Sequence, residues 1–131
     1  MRIAQILSVT ALVGCVEATG PVAPTVGQEF TLAPGQTTGI VGTPLTVRFT
    51  GVAQDSRCPL QAACFWAGDG AVVVVVSGAA FSRTDTLHTN LPPRATDLDA
   101  YRVTLVALAP YPIGAPIPLG DYRATLVVSL P

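Results

Sequence analysis

The sequence predicts a single all-β domain, an antiparallel β-sandwich of about seven strands. Three observations carry this expectation. At 131 residues the chain has room for one core of ordinary size. Its 12 Gly and 12 Pro are scattered among Val, Thr, Leu and Ala, which would interrupt helices but suits short strands joined by turns. Apolar and polar residues also alternate over short runs, the period of a half-buried strand.

The sandwich is expected over residues 28–131, with strands at Glu29–Ala33, Thr37–Val41, Pro44–Ala53, Gly70–Ser77, Phe81–Thr89, Ala100–Ala109 and Asp121–Leu130. In the third, Leu45, Val47 and Phe49 alternate with Thr46 and Arg48 until the period slips at Gly51, where a β-bulge is expected. The fourth contains five consecutive Val, Val72 to Val76, and being apolar on both faces reads as a central strand covered on both sides. In the sixth, Tyr101, Val103, Leu105 and Ala107 point inward; in the seventh, Tyr122, Ala124, Leu126, Val128 and Leu130 do. Pro110, Pro112, Pro116 and Pro118 withhold backbone donors between those two strands, so this segment is a loop. Ile113, Ile117 and Leu119 are expected to pack it down as a lid.

The N-terminus reads as an export signal. Met1-Arg2 is followed by a mainly apolar stretch from Ile3 to Val13, too short to span a bilayer, which needs about 20 apolar residues. Leu12-Val13-Gly14-Cys15 resembles the bacterial lipobox, and that resemblance implies cleavage after residue 14 and diacylation of Cys15. Residues 1–14 are then a signal peptide and residues 15–27, rich in Gly and Pro, a lipidated N-terminus and tether. Val16 occupies the position where, in similar double-membrane lipoproteins, Asp retains the protein in the inner membrane, which implies placement in an outer membrane if the cell has one. With seven basic residues, all Arg, against eight acids, attachment would come from acyl chains rather than from charge. The same balance leaves no cationic footprint for nucleic acid.

The most distinctive run is Asp55-Ser56-Arg57-Cys58-Pro59-Leu60-Gln61-Ala62-Ala63-Cys64-Phe65-Trp66-Ala67-Gly68-Asp69. Once Cys15 is acylated, two thiols remain in an oxidising compartment, and their spacing allows a Cys58–Cys64 disulfide. Zinc would need about four ligands, and His88 alone cannot complete the set. The spacing also lacks the Cys-x-x-Cys arrangement of redox pairs. Trp66, just after the second Cys, is expected to cover the bridge as a small core, the other reading being a ring face for a sugar or a partner. Asp55, Arg57 and Asp69 are candidates either for an internal brace of the loop or for a recognition surface.

This run resembles a motif of uncharacterised exported bacterial lipoproteins: Asp-Ser-Arg-Cys-Pro, four residues, then Cys-x-Trp-Ala-Gly. Here it falls on Asp55–Pro59 and Cys64–Gly68. The resemblance implies a small β-domain and brings no established activity. Gly120-Asp121-Tyr122 looks like the start of late strands in immunoglobulin-like bacterial modules, and implies an immunoglobulin-like sandwich.

No catalytic constellation is expected. Ser82, Asp85 and His88 carry triad residue types, but Asp85 falls on the opposite strand face from the other two and no nucleophile elbow surrounds the Ser. Asp97, Asp99 and Asp69 offer hard oxygen ligands without the spacing of a calcium loop, and turn formation accounts for them. The expectation is therefore a lipid-anchored cell-envelope protein that is not an enzyme and needs no cofactor or metal. It would be a binding or structural module, in contact with the membrane through its acyl chains and with an envelope protein or saccharide through its loops. The alternative is an inhibitor or regulator of an envelope enzyme, with the Cys58–Cys64 loop as a preorganised wedge.

Overall fold

The computed structural model describes residues 22–131. The expected signal peptide, the expected acylation site Cys15 and the first part of the expected tether lie outside the described residues. Eight strands form: β1 (Glu29–Leu32), β2 (Thr37–Gly39), β3 (Thr46–Asp55), β4 (Gly70–Ser77), β5 (Ser82–His88), β6 (Ala95–Leu98), β7 (Tyr101–Ala109) and β8 (Arg123–Ser129). They make two four-stranded antiparallel sheets, ordered β1-β8-β7-β6 and β2-β3-β4-β5, consistent with a β-sandwich. The second sheet is a plain meander, and the first is a meander closed by β1. Immunoglobulin domains interleave their strands instead, so the observed order departs from the immunoglobulin-like expectation.

The core lies between the sheets and is filled by the inward set of each alternation. Leu45, Val47 and Phe49 from the third segment meet Val72, Val74 and Val76 of β4, Leu87 of β5, Val103 and Leu105 of β7, and Ala124, Leu126 and Val128 of β8. The Val run is central in its sheet as expected, but only one of its faces is fully covered: Val73 and Val75 are half-exposed. Leu130 is exposed rather than inward. In the proline loop only Ile117 packs against the core, while Ile113 and Leu119 face solvent. A 3-10 turn at Leu119–Asp121 leads into β8.

Irregularities in two strands set which residues face the core. β3 slips register between Phe49 and Gly51, as the lost period at Gly51 foretold, and again between Val52 and Gln54, which it did not. β7 slips between Leu105 and Ala107, which the sequence did not announce. The extra residue reverses the phase, so Leu108 turns inward and Ala107 outward, the opposite of strict alternation. The unexpected strand is β6, which forms a tight hairpin with β7 through Asp99 and Ala100, with Asp99 in the left-handed region at φ 53°.

The last residues of the expected tether belong to the domain. Pro24 is buried, Thr25 bridges Val41 in parallel, and the Gly27 amide donates to the Val128 carbonyl at 2.7 Å. The N-terminal segment therefore joins the body where β8 finishes. The loop after β3 lies at the other end of the strands, at least roughly 20 Å away at about 3.3 Å per strand residue. Among the described residues no helix is long and apolar enough to cross a membrane.

The bulge in β7 has a direct test. Leu108→Ala should cost about 2–5 kcal/mol in urea unfolding, the range for emptying a core position. Ala107→Ser should stay within about 0.5 kcal/mol. The reverse ranking would mean that the alternation continues unbroken and Ala107 faces the core.

Candidate functional site

At the end of the sandwich away from the N-terminal segment, three loops meet: residues 56–69 between β3 and β4, residues 89–94 between β5 and β6, and residues 110–122 between β7 and β8. The strand ends dictate this meeting, because Asp55 pairs with Gly70, Ala71 with His88, and Ala109 with Arg123.

Asp55 and Arg57 sit two residues apart where β3 runs out, so their side chains leave the same face. The Arg57 side chain is 2% exposed and forks onto the carboxylate: Nε donates to Asp55 Oδ1 and Nη2 to Oδ2, both at 2.8 Å. Its other donors leave the loop, Nη1 reaching the Leu108 carbonyl at 2.6 Å and Nη2 the Pro110 carbonyl at 2.9 Å. The Tyr111 ring lies 5.0 Å from the guanidinium carbon, within cation–π range. The Tyr122 hydroxyl completes the cluster by donating to Asp55 Oδ2 at 2.9 Å. One guanidinium thus ties the end of β3 to the opposite sheet.

Asp69 does not join that fork; it holds the neighbouring loop. Its Oδ1 accepts the amides of Asn90 (3.0 Å) and Leu91 (3.3 Å), and its Oδ2 pairs with His88 Nδ1 at 2.6 Å. Its backbone is clasped by Ser56, which donates its amide to the Asp69 carbonyl at 2.7 Å and accepts the Asp69 amide on Oγ at 3.0 Å. The closeness of these two segments explains Gly68: its φ is +67°, and an added Cβ would fall 1.7 Å from the Ser56 carbonyl oxygen.

The electrostatics follow from the hydrogen bonds. Burial by itself would push the Asp55 carboxyl up, but the hydrogen bonds from Arg57 and Tyr122 and the adjacent guanidinium hold it below its ordinary 3.8. Asp69 is lowered too: burial opposes this, and the Asn90 amide, His88 and the Leu91 amide outweigh it. Burial, with the bond to Asp55 and its negative charge, pushes the Tyr122 phenol up to about 12.

Above this base the loop is closed by a Cys58–Cys64 disulfide with Cα atoms 6.0 Å apart. The Cys58 amide donates to the Ala67 carbonyl at 2.9 Å, and the Leu60 amide to Pro112 in the proline loop at 3.0 Å. Trp66 does not cover the bridge as expected. It is 81% exposed, Phe65 beside it is 98% exposed, and their ring centres are 6.0 Å apart. The neighbours available to shield them, Ala62, Ala63 and Ala67, are too small and are themselves exposed. Trp66 and Leu91 instead help to line an open concavity of about 370 Å³, together with Ser56, Ala67, Gly68, Asp69 and Asn90.

The remaining candidates do not converge. Ser82 shares a hydrogen bond with Ser77, Asp85 takes Arg83 and Thr96, and His88 takes Asp69, which separates the three triad types. Asp97 is engaged by Arg102 at 2.7 Å. Among the described residues no group of three metal-ligating side chains forms. His88, Tyr122 and Asn90 are members of the site that sequence reasoning missed. The inward phase of Tyr122 was a usable signal, since a buried phenol hydroxyl needs an acceptor.

Fold and loop together define a small two-sheet sandwich presenting a bridged aromatic tip on a hydrogen-bonded base. Compared with known proteins, the chain matches no family model, no curated protein and no solved structure.

Two measurements check the base. Arg57→Ala should cost about 3 kcal/mol, because it strands a carboxylate that is only 11% exposed, and adding Asp55→Ala should cost far less than the sum of the single changes. Trp66→Ala should change stability by less than about 0.5 kcal/mol. The second measurement is of pH dependence. Both Asp groups have folded pKa values below their unfolded ones, so their stabilisation is complete above about pH 4 and is lost as the pH falls through the folded values. Tyr122 has the opposite sign: its contribution is complete below about pH 10 and is lost as the pH rises towards 12. Absorbance titration of the folded protein should show a tyrosine that ionises only near pH 12.

Proposed function

We propose that the chain is an exported lipoprotein, acylated at Cys15 and attached to the cell envelope, in the outer membrane where the cell has one. It acts without catalysis as a binding module. The observation that carries the binding reading is the placement of Phe65 and Trp66 in water on a loop whose base is fixed by Arg57, Asp69 and a disulfide. Exposed aromatic side chains scattered singly need no explanation, but two adjacent ones held on an ordered loop are the usual anchors of an interface. Ordering the loop beforehand lowers the entropy lost on association. The anchoring reading is supported by the lipobox resemblance at Leu12–Cys15 and by a disulfide suited to an exported compartment. The partner is an envelope protein or saccharide. A second reading, a wedge that inhibits or regulates an envelope enzyme, draws on the protruding Phe65 in particular.

Both parts are testable in cells. Replacing Cys15 with Ala should abolish acyl labelling and block maturation of the precursor; undiminished labelling would sink the anchor. A photo-reactive residue at Gln61, on the bridged loop, should give adducts in intact cells that one at Thr38, on the edge strand β2, does not. Adducts from Thr38 alone, or from neither site, would remove the loop as the binding surface.

A further inference from the structure

The end of the sandwich opposite the bridged loop also puts apolar side chains in water, and it is the end at which the chain enters. The register defines it: Thr46, Ser77 and Ser82 pair in one row at the end of one sheet, and Arg102 pairs with Ser129 at the end of the other. Beyond these rows the chain turns at residues 40–45, 78–81 and 99–100, and Leu130 follows β8. Val26 is held beside them by the bridge from Thr25 to Val41 and the bond from Gly27 to Val128. Val26, Val41, Leu130 and Phe81 are exposed, Phe81 at 70%, as are Pro44 and Ala80. The three turns contain a single charged residue, Asp99, whose carboxylate lies so close to Gly78 that a Cβ there would fall 2.5 Å from it.

Where the chain comes from decides what covers this end. Val22 shares a recess with Thr38 and Gly39, and Gly39 pairs with Thr46 in the end row. Seven residues lead back from Val22 to Cys15, a reach of at most about 25 Å. β3 alone, at ten residues, spans roughly 33 Å and carries the bridged loop at its far end. An anchor at Cys15 therefore reaches this end with slack and the aromatic tip only at full stretch. Resting on the reading of the chain as acylated at Cys15, we infer that this end of the sandwich lies against the lipid surface, with Phe81, Val41 and Leu130 entering the headgroup layer. The covalent connection keeps the bilayer at high effective concentration beside this end, which no free partner matches. The turns contain no basic residue, so the contact draws on apolar area rather than on attraction to anionic lipid, and salt does not release it. Docked in this way, the domain presents the bridged loop away from the membrane.

The test places the protein purified from membranes in vesicles of phosphatidylcholine and phosphatidylethanolamine, with a fluorophore attached, without reductant, at Ala80→Cys or at Gln61→Cys. A nitroxide carried on the lipid headgroup should quench the label at residue 80 and spare the one at residue 61, at low and at high salt. Val41→Asp combined with Phe81→Asp should lower the ratio of docked to undocked protein by about tenfold or more, the effect of returning one large apolar side chain to water. The melting midpoint should not move, since both side chains are exposed. Three results overturn the contact: no quenching at residue 80, equal quenching at both labels, or quenching at residue 80 that persists undiminished in the double variant. In each of these, flotation of the protein with the vesicles leaves the anchor standing. Protein that does not float with the vesicles removes the anchor and the contact together.

Discussion

A buried guanidinium cannot shed its charge, so each of its N–H groups must find an acceptor within the protein. At Arg57 this requirement organises the whole loop end. Asp55 neutralises it within its own strand end, and the carbonyls of Leu108 and Pro110 draw in the opposite sheet just beyond the bulge of β7. Apolar contact between the sheets is tolerant of small slides, because it depends on area rather than direction. Hydrogen bonds at 2.6–2.9 Å from a planar fork are not tolerant in this way, and they fix one sheet end against the other.

The consequence is a division of labour along the loop. Charge is confined to the base, where it is paired, and the tip is left neutral and apolar. Asp69 performs for residues 89–91 what Arg57 performs for residues 108–110: each supplies one side chain to backbone groups that a loop cannot satisfy by itself. Phe65 and Trp66 then stand on a support ordered by both, with the disulfide limiting what freedom remains.

How far the sequence revealed this depends on the range of the interaction. The alternation through Val47–Phe49 and Ala124–Val128 is local, and so the core faces of β3 and β8 were legible. The bulge at Gly51 was marked by its glycine, but the one at Val106 carries no such residue, and the inward turn of Leu108 went unread. β6 was hidden because Ala95-Thr96-Asp97-Leu98 has a single large apolar residue and ends in turn-forming aspartates. The order of the strands depends on pairings far apart in sequence, which no local period encodes. At the site, the pairing of Cys58 with Cys64 followed from their spacing and from the expectation of export. The meeting of Asp69 with His88 depends on β4–β5 register. Trp66 was misplaced because hydrophobicity favours burial, while the residues around this Trp are too small to bury it.

The strand order has a further consequence for how such a domain can be strung on a chain. The amide of Gly27 meets the carbonyl of Val128, so the polypeptide enters the sandwich and leaves β8 side by side. Both points lie at the end of the sandwich away from the aromatic tip. Duplicating the unit in tandem would display two tips without either linker crossing them.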